Sequence, residues 1–269
     1  MASVASIATE LAHNLDSVTI TSVADITPAA KALKDIAADL ADLRVAAWDN
    51  IASKQPMADS DNGVLAASVF GWCPETECWW NDSRLALSSP LPRACRYESD
   101  PFWANAQGFH TRQPNRYLDQ ISLHDFEKRA LTRAAIVAPV HLPFGQIGIV
   151  TFNSRDPARD DLSAEYENHG DLLSLLAQRF VAGYAKANRT RPNHGRHALP
   201  SDCQLTKREV ECLRWASFGK TDREISLILS RSHATVRFHI QNAGEKLCAV
   251  NRSQTIFKAA QLGFLGVAA

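Results

Sequence analysis

Apolar residues recur at helical spacing through the last quarter of the chain. Val236, Ile240, Ala243 and Leu247 are four, three and four apart and share one buried face of a helix. Arg237 and Gln241, also four apart, share a different, outward face. Start signals bracket this helix and its neighbours. Thr206 precedes Glu209, and Thr221 precedes Glu224, by three residues, the spacing at which a hydroxyl and a carboxylate reciprocally satisfy open amides. Glu209 is therefore assigned to capping. Ser232 is placed to cap the third helix and Ser253 a fourth, which Gly263 would end. Residues 205–265 thus predict four short helices, with Trp215 in their core.

The front of the chain alternates between the two periods. A short helix is expected over 4–14. Thr27-Pro28 then opens a helix to near Ser53, with Leu33, Ile36, Leu40, Leu43 and Ala47 on one face. After a turn cluster at 59–63, GVLAASVF (63–70) reads as a strand. Ser122 is placed to cap a short helix to Leu131. AAIVAPVHL and GQIGIVTFNS, around PFG at 143–145, predict a hairpin. A long helix follows from Ser163 to about Asn188, striped by Tyr166, Leu173, Leu176, Phe180 and Tyr184. The basic, Pro/Gly-interrupted stretch beyond it is a linker. The expected class is α+β: an N-terminal α/β/α sandwich with an antiparallel sheet over 1–184, a linker over 185–202, and an all-α four-helix helix-turn-helix domain over 203–269.

Charge sharpens this division. The formal net charge is zero. Yet residues 185–269 hold 14 Lys and Arg against 6 Asp and Glu, a net +8, which leaves −8 on residues 1–184. An acidic front on a basic back fits a sensor joined to a nucleic-acid-binding domain. No apolar run reaches the length of a membrane span, and the first residues lack a secretory signal, so a cytoplasmic protein is expected. The six cysteines lack paired CxxC spacing; Cys73 and Cys78 have no second ligand pair nearby, so thiols rather than a metal site are expected.

Two stretches carry candidate chemistry. Arg237 and Gln241 side by side suit a major groove, where Arg grips guanine and Gln pairs with adenine; a solvated face on an ordinary bundle is the competing reading. Residues 71–120 hold four of the six tryptophans, as expected for the wall of a small-molecule pocket or for a core cover. Enzyme motifs are lacking: the sequence has no GxSxG, P-loop, HExxH or GxGxxG after a strand.

The C-terminal segment closely resembles the helix-turn-helix domain of the LuxR family of transcription regulators. The resemblance rests on Leu205-Thr206, Arg208-Glu209, Gly219-Lys220, Glu224-Ile225, Thr235-Val236, His239, Asn242, Lys246-Leu247, Asn251-Arg252 and Gly263. It implies that Arg237 and Gln241 read bases. Lys220, Ser232, Thr235, His239, Lys246 and Arg252 are implied phosphate contacts. Departures are Arg231, His233 and Gly244, the last inside the recognition helix.

The front resembles that family's autoinducer-binding domain at Asp100-Pro101 and along APVHLPFGQIGIVTF (138–152). In the family the Asp accepts a bond from the amide of an acyl-homoserine lactone, so Asp100 is carried over; a solvent-facing Asp before Pro is equally natural. The family's Trp and Tyr donors fall near Leu87 and Leu91, its Pro-Phe-x-Trp appears as Pro114-Asn115-Arg116-Tyr117, and a Gly aligns near Ala135. These departures point to an effector other than an ordinary acyl-homoserine lactone, apolar or aromatic, packed by Trp72, Trp79, Trp80, Phe102, Trp103 and Tyr117. The expected function is a ligand-responsive transcription regulator. Its expected partners are double-stranded DNA, a small-molecule effector, a second copy of the chain and RNA polymerase, with no cofactor. A ligand-independent regulator with a protein-docking or dimerisation front is the alternative.

Overall fold

The computed structural model describes residues 4–53, 55–72, 88–189 and 204–266. They form two compact units, residues 4–142 with 146–189 and residues 143–145 with 204–266.

In the first unit α1 (Val4–Ser17) leads to α2 (Ile26–Ala41) and β1 (Leu43–Trp48). The short α3 (Leu65–Ser68) and α4 (Pro90–Ala94) precede β2 (Phe102–Asn105) and β3 (Phe109–His110). Then come α5 (Phe126–Ala130), β4 (Ala134–His141), β5 (Ile147–Ser154) and the long α6 (Ser163–Arg189). The strands pair antiparallel in the order β1-β5-β4-β2-β3. Central β4 is buried along seven of its eight residues, as a strand covered on both faces must be. On one face Val45, Ile136, Val150 and Phe152 pack with Leu33 of α2 and Leu173, Phe180 and Tyr184 of α6. On the other, Trp48, Phe102, Val137 and Ile149 pack with Leu91 of α4 and Phe126 of α5. This is the anticipated sandwich.

Several local expectations are corrected. The helix expected to reach Ser53 ends at Ala41, because Asp42 takes a left-handed conformation (φ 50) and its amide closes on Ala37 and Ala38. Leu43 and Ala47 belong to β1, since a spacing of four satisfies both the helical and the strand period. The apolar run at 63–70 holds the helical turn α3 instead of a strand; Leu65 and Phe70 are buried, and a run that short fits either structure. The helix expected from Ser122 begins at Phe126, after a left-handed Asp125 (φ 52). Strands β2 and β3 arise within the tryptophan-rich stretch of residues 71–120, for which the sequence predicted no element. The linker boundary at 185 falls inside α6, which continues to Arg189 with Ala185 and Ala187 buried.

Two glycines permit close approach. A Cβ on Gly148 of β5 would lie 2.7 Å from Val181 of α6 and 2.9 Å from the Trp48 carbonyl. On Gly183 of α6 it would lie 2.9 Å from the Ile20 carbonyl.

The second unit comprises α7 (Lys207–Ser217), α8 (Asp222–Ile228), α9 (His233–Lys246) and α10 (Arg252–Gln261) around Leu213, Ile225, Val236, Ile240, Ala243 and Leu247. Both capping boxes form: Thr206 accepts from Glu209 N at 3.3 Å and donates its amide to the Glu209 carboxylate at 2.7 Å. Thr221 and Glu224 repeat this at 3.3 and 2.8 Å. Ser232 caps α9, accepting from Thr235 N at 3.0 Å. The cap of α10 is Asn251, which accepts from Gln254 N at 2.9 Å, and Ser253 lies one position inside the helix. Asn outranks a Ser two residues later because its backbone is already extended (φ −155), as an N-cap requires. Gly263 follows the helix end at φ 78.

Candidate functional site

Helix α9 is presented by its neighbours with one face in the core and one in solvent. Val236, Ile240, Ala243 and Gly244 are buried, while Ala234, Arg237, Phe238, Gln241 and Glu245 are exposed. Gly244 packs against α10, with room for a Cβ only 3.2 Å from Thr255 Oγ1. The left-handed Ser230 (φ 50) makes the turn between α8 and α9.

Two ion pairs set this frame. Lys246 Nζ, at the end of α9, lies 2.9 Å from both oxygens of Glu209, whose side chain is only 4% exposed. Burial pushes the Glu209 carboxyl upward, but the Lys246 ammonium and the Thr206 amide and hydroxyl together outweigh it, leaving its pKa below the ordinary value. Arg252, at the start of α10, pairs with Asp222 at the start of α8 and donates to the Lys220 carbonyl at 2.8 Å.

In the first unit a cavity of about 120 Å³ lies on the β5 face that carries Ile149, Thr151 and Asn153. Trp48, Trp72, Leu91 and Leu131 supply apolar wall; Ser89, Thr151 and Asn153 are the polar residues among those lining it. None of the described lining residues is charged. The Trp72 indole donates to the Val45 carbonyl while the Arg44 guanidinium lies 4.0 Å over its ring, which fixes that wall. Arg129 clasps the segment around α4 and α5, donating to the carbonyls of Ser88 and, at 3.0 and 2.8 Å, of Ser122 and His124.

Comparison with known proteins places these two features in one family. Residues 203–259 match the family described as bacterial regulatory proteins, luxR family, and residues 54–182 match the autoinducer binding domain. The quorum sensing-dependent transcriptional regulator RpaR of Rhodopseudomonas palustris is 30% identical over 203 residues, 72% of this chain and 73% of its own. The chain belongs to the LuxR family. The transcriptional activator VanR of Vibrio anguillarum is 37% identical over 133 residues, 49% of this chain and 52% of VanR. LuxR of Aliivibrio fischeri is 38% identical over 127 residues, 46% of this chain and 47% of LuxR. The chain thus spans about half the length of those two relatives. The LuxR family is one of transcription regulators, and not of enzymes. Among the described residues no helix is long and apolar enough to cross a membrane.

For a LuxR-family chain, the residues expected to act divide sharply. Arg237 and Gln241 are exposed on α9; the Gln241 amide reaches Glu245 at 3.5 Å. Ser232 and Thr235 meet at 2.8 Å at the start of α9, and His239 is half-buried against Phe238. Lys220 lies 3.9 Å from Glu224. Lys246 and Arg252, expected at phosphates, are ion-paired with Glu209 and Asp222. Trp215 is half-buried at the rim of the helical core.

In the first unit, Trp72 is the only one of the expected effector residues, among those described, that lines the cavity. Asp100 is exposed, and Tyr117, 65% exposed, stacks on Tyr97. Phe102 is buried in the core behind the cavity, and Trp103, its neighbour on the strand, points to the opposite face and stacks on His110 at 3.9 Å. Trp79, Trp80, Leu87, Cys73 and Cys78 lie outside the described residues. Sequence reasoning missed Phe238, 59% exposed beside Arg237; an apolar residue breaking the polar face of α9 was the available signal. It missed Asn153 too, which only the strand period, two residues beyond Thr151, would have placed on the same face.

Proposed function

We propose that this chain is a DNA-binding transcription regulator of the cytoplasm whose first unit holds a small effector in the β5 cavity. The observation that carries the DNA half is the exposed face of α9. Arg237 reaches the acceptor edge of guanine, Gln241 pairs with adenine, and Phe238 with Ala234 offers the apolar surface that a thymine methyl takes. Lys220 before α8, Ser232 and Thr235 at the start of α9 and His239 at its middle serve phosphates and set register without reading sequence. Lys246 and Arg252 hold the helices in place.

The protein acts as a dimer on an inverted repeat with half-sites about one helical turn apart, as a symmetric pair of recognition helices requires. That arrangement, like contact with RNA polymerase, rests on family membership. The effector acts by population shift, binding the DNA-competent arrangement differently from the other. A cavity with buried polar groups favours this reading over a ligand-free regulator, in which that space would be filled.

The test is thermal unfolding of the purified chain against acyl-homoserine lactones, aromatic acids and neutral aromatic amides, with operator affinity measured for every compound that stabilises. Stabilisation following RT ln(1+[L]/Kd), joined to a change in operator affinity, is expected. Intact operator binding with no stabilising compound would sink the sensor half.

A further inference from the structure

Asn153 lines the cavity with a side-chain oxygen that has no hydrogen-bond partner. Its side chain sits on the inner face of β5, opposite Ala135 of β4 and Arg44 of β1, and the residue is only 5% exposed. Its Oδ1 is fully buried and has no hydrogen-bond partner. Buried carbonyl-type oxygens in folded proteins nearly always have one, and an orphan carries the full cost of its desolvation. A sheet position gives the side chain little freedom to turn away, because the strand directs it at the space that Thr151 and Ile149 line.

We propose that Asn153 Oδ1 is the anchor of the effector: it accepts a hydrogen bond from an N–H or O–H of a neutral, compact, mostly apolar molecule. This rests on the reading of the first unit as a sensor, and it adds the chemical class. Neutrality follows from the walls. None of the described lining residues is charged, so an ion placed there would lose its hydration with no counter-charge among those walls. Compactness follows from the volume: about 120 Å³ compares with the roughly 150 Å³ apolar cavity that accepts benzene. The donor follows from the open acceptor, since a site built around a buried hydrogen-bonding group discriminates against analogues that leave it unpaired. Asp100, exposed and outside the lining, has no part in this contact.

The experiment uses the full chain and three probes that differ only in the polar group: phenylacetamide, N,N-dimethylphenylacetamide and phenylacetate. Thermal unfolding and calorimetric titration are run on the natural protein and on Asn153→Leu. For the natural protein, phenylacetamide is expected to stabilise, the dimethyl amide to bind about tenfold more weakly, and the anion not to bind, the factor of ten being one hydrogen bond's worth. Asn153→Leu is expected to melt about 2–4 °C higher than the natural protein when no probe is present, because the orphan is gone, and to bind the two amides alike. That opposite pair of changes separates an effector anchor from a merely structural residue, whose loss would lower the midpoint. Equal binding of the two amides by the natural protein, or discrimination surviving in Asn153→Leu, would overturn the assignment and leave the sensor reading standing. No stabilisation by phenylacetamide would also overturn it. The sensor reading is then decided separately by the wider panel and operator binding, so the two failures are distinguishable.

Discussion

Replacing Lys246 with Met separates two roles that its position at the end of α9 allows. The ammonium lies 2.9 Å from both oxygens of a carboxylate that is 4% exposed, but the Lys246 side chain itself is 39% exposed. At an effective dielectric of about 20 the gross attraction at this distance is roughly 5–6 kcal/mol. Solvent around the lysine and the cost of burying the carboxylate reduce it. Glu209 also keeps its bond from the Thr206 amide in the variant. The net loss should therefore fall below the 3–5 kcal/mol of a fully buried pair, at about 2 kcal/mol. Hydrogen exchange on the intact chain reads this locally: amides of α7 should exchange about 30-fold faster if they open with the unit.

The pH dependence follows from the depressed pKa of Glu209. Its stabilising contribution is fully present above the unfolded carboxyl value of about 4.3 and disappears as pH falls through the folded value. The gap between the natural protein and Lys246→Met should accordingly close in acid. A phosphate contact predicts otherwise: unchanged exchange, and a slope of log affinity against log salt smaller by about one. That second result would refute the internal cross-link.

Other outcomes follow from the same structure. Arg237→Ala should relax preference at one base pair by about 1–3 kcal/mol, read by operator-library selection, while uniform weakening would remove it from base reading. Phe238→Ala should leave stability within about 0.5 kcal/mol, the side chain being exposed, yet lose preference for thymine over uracil at one position. Gly148→Ala should cost about 1–3 kcal/mol in denaturant titration, because its Cβ meets a backbone carbonyl as well as Val181. Ala46→Phe, which fills the cavity, should abolish effector stabilisation in a thermal shift assay, whereas Asp100→Asn should leave it unchanged.

Legibility in the sequence followed the locality of the interactions. The helices of the second unit announce themselves through caps and spacing within four residues, so Thr206, Thr221 and Ser232 are placed correctly from the sequence. Ser253 was displaced by Asn251 because cap choice depends on where the preceding turn ends. The hairpin β4–β5 was legible because its turn is short and both arms are apolar. β1 was hidden by a period that suits a helix equally, and β2 and β3 by their brevity: four and two residues carry little pattern. The cavity-lining residues were hardest. Aromatic content marked a region, but which face of a strand Phe102 or Trp103 takes depends on pairing with residues more than thirty positions away. The partners of Lys246 and Arg252, 37 and 30 residues distant, were likewise beyond local pattern.

Strand β5 serves two surfaces at once. Ile149, Thr151 and Asn153 face the cavity, whereas Val150 and Phe152 pack beneath α2 and α6. Alternation along one strand therefore partitions heritable variation. On the proposed reading, substitutions at the odd positions should alter which molecule is recognised, and those at the even positions whether the unit folds. A lineage could then change its effector by drift at three side chains while the scaffold that carries the long helix stays under independent selection. Sequence divergence among chains of this architecture should then be periodic along β5, with a period of two residues.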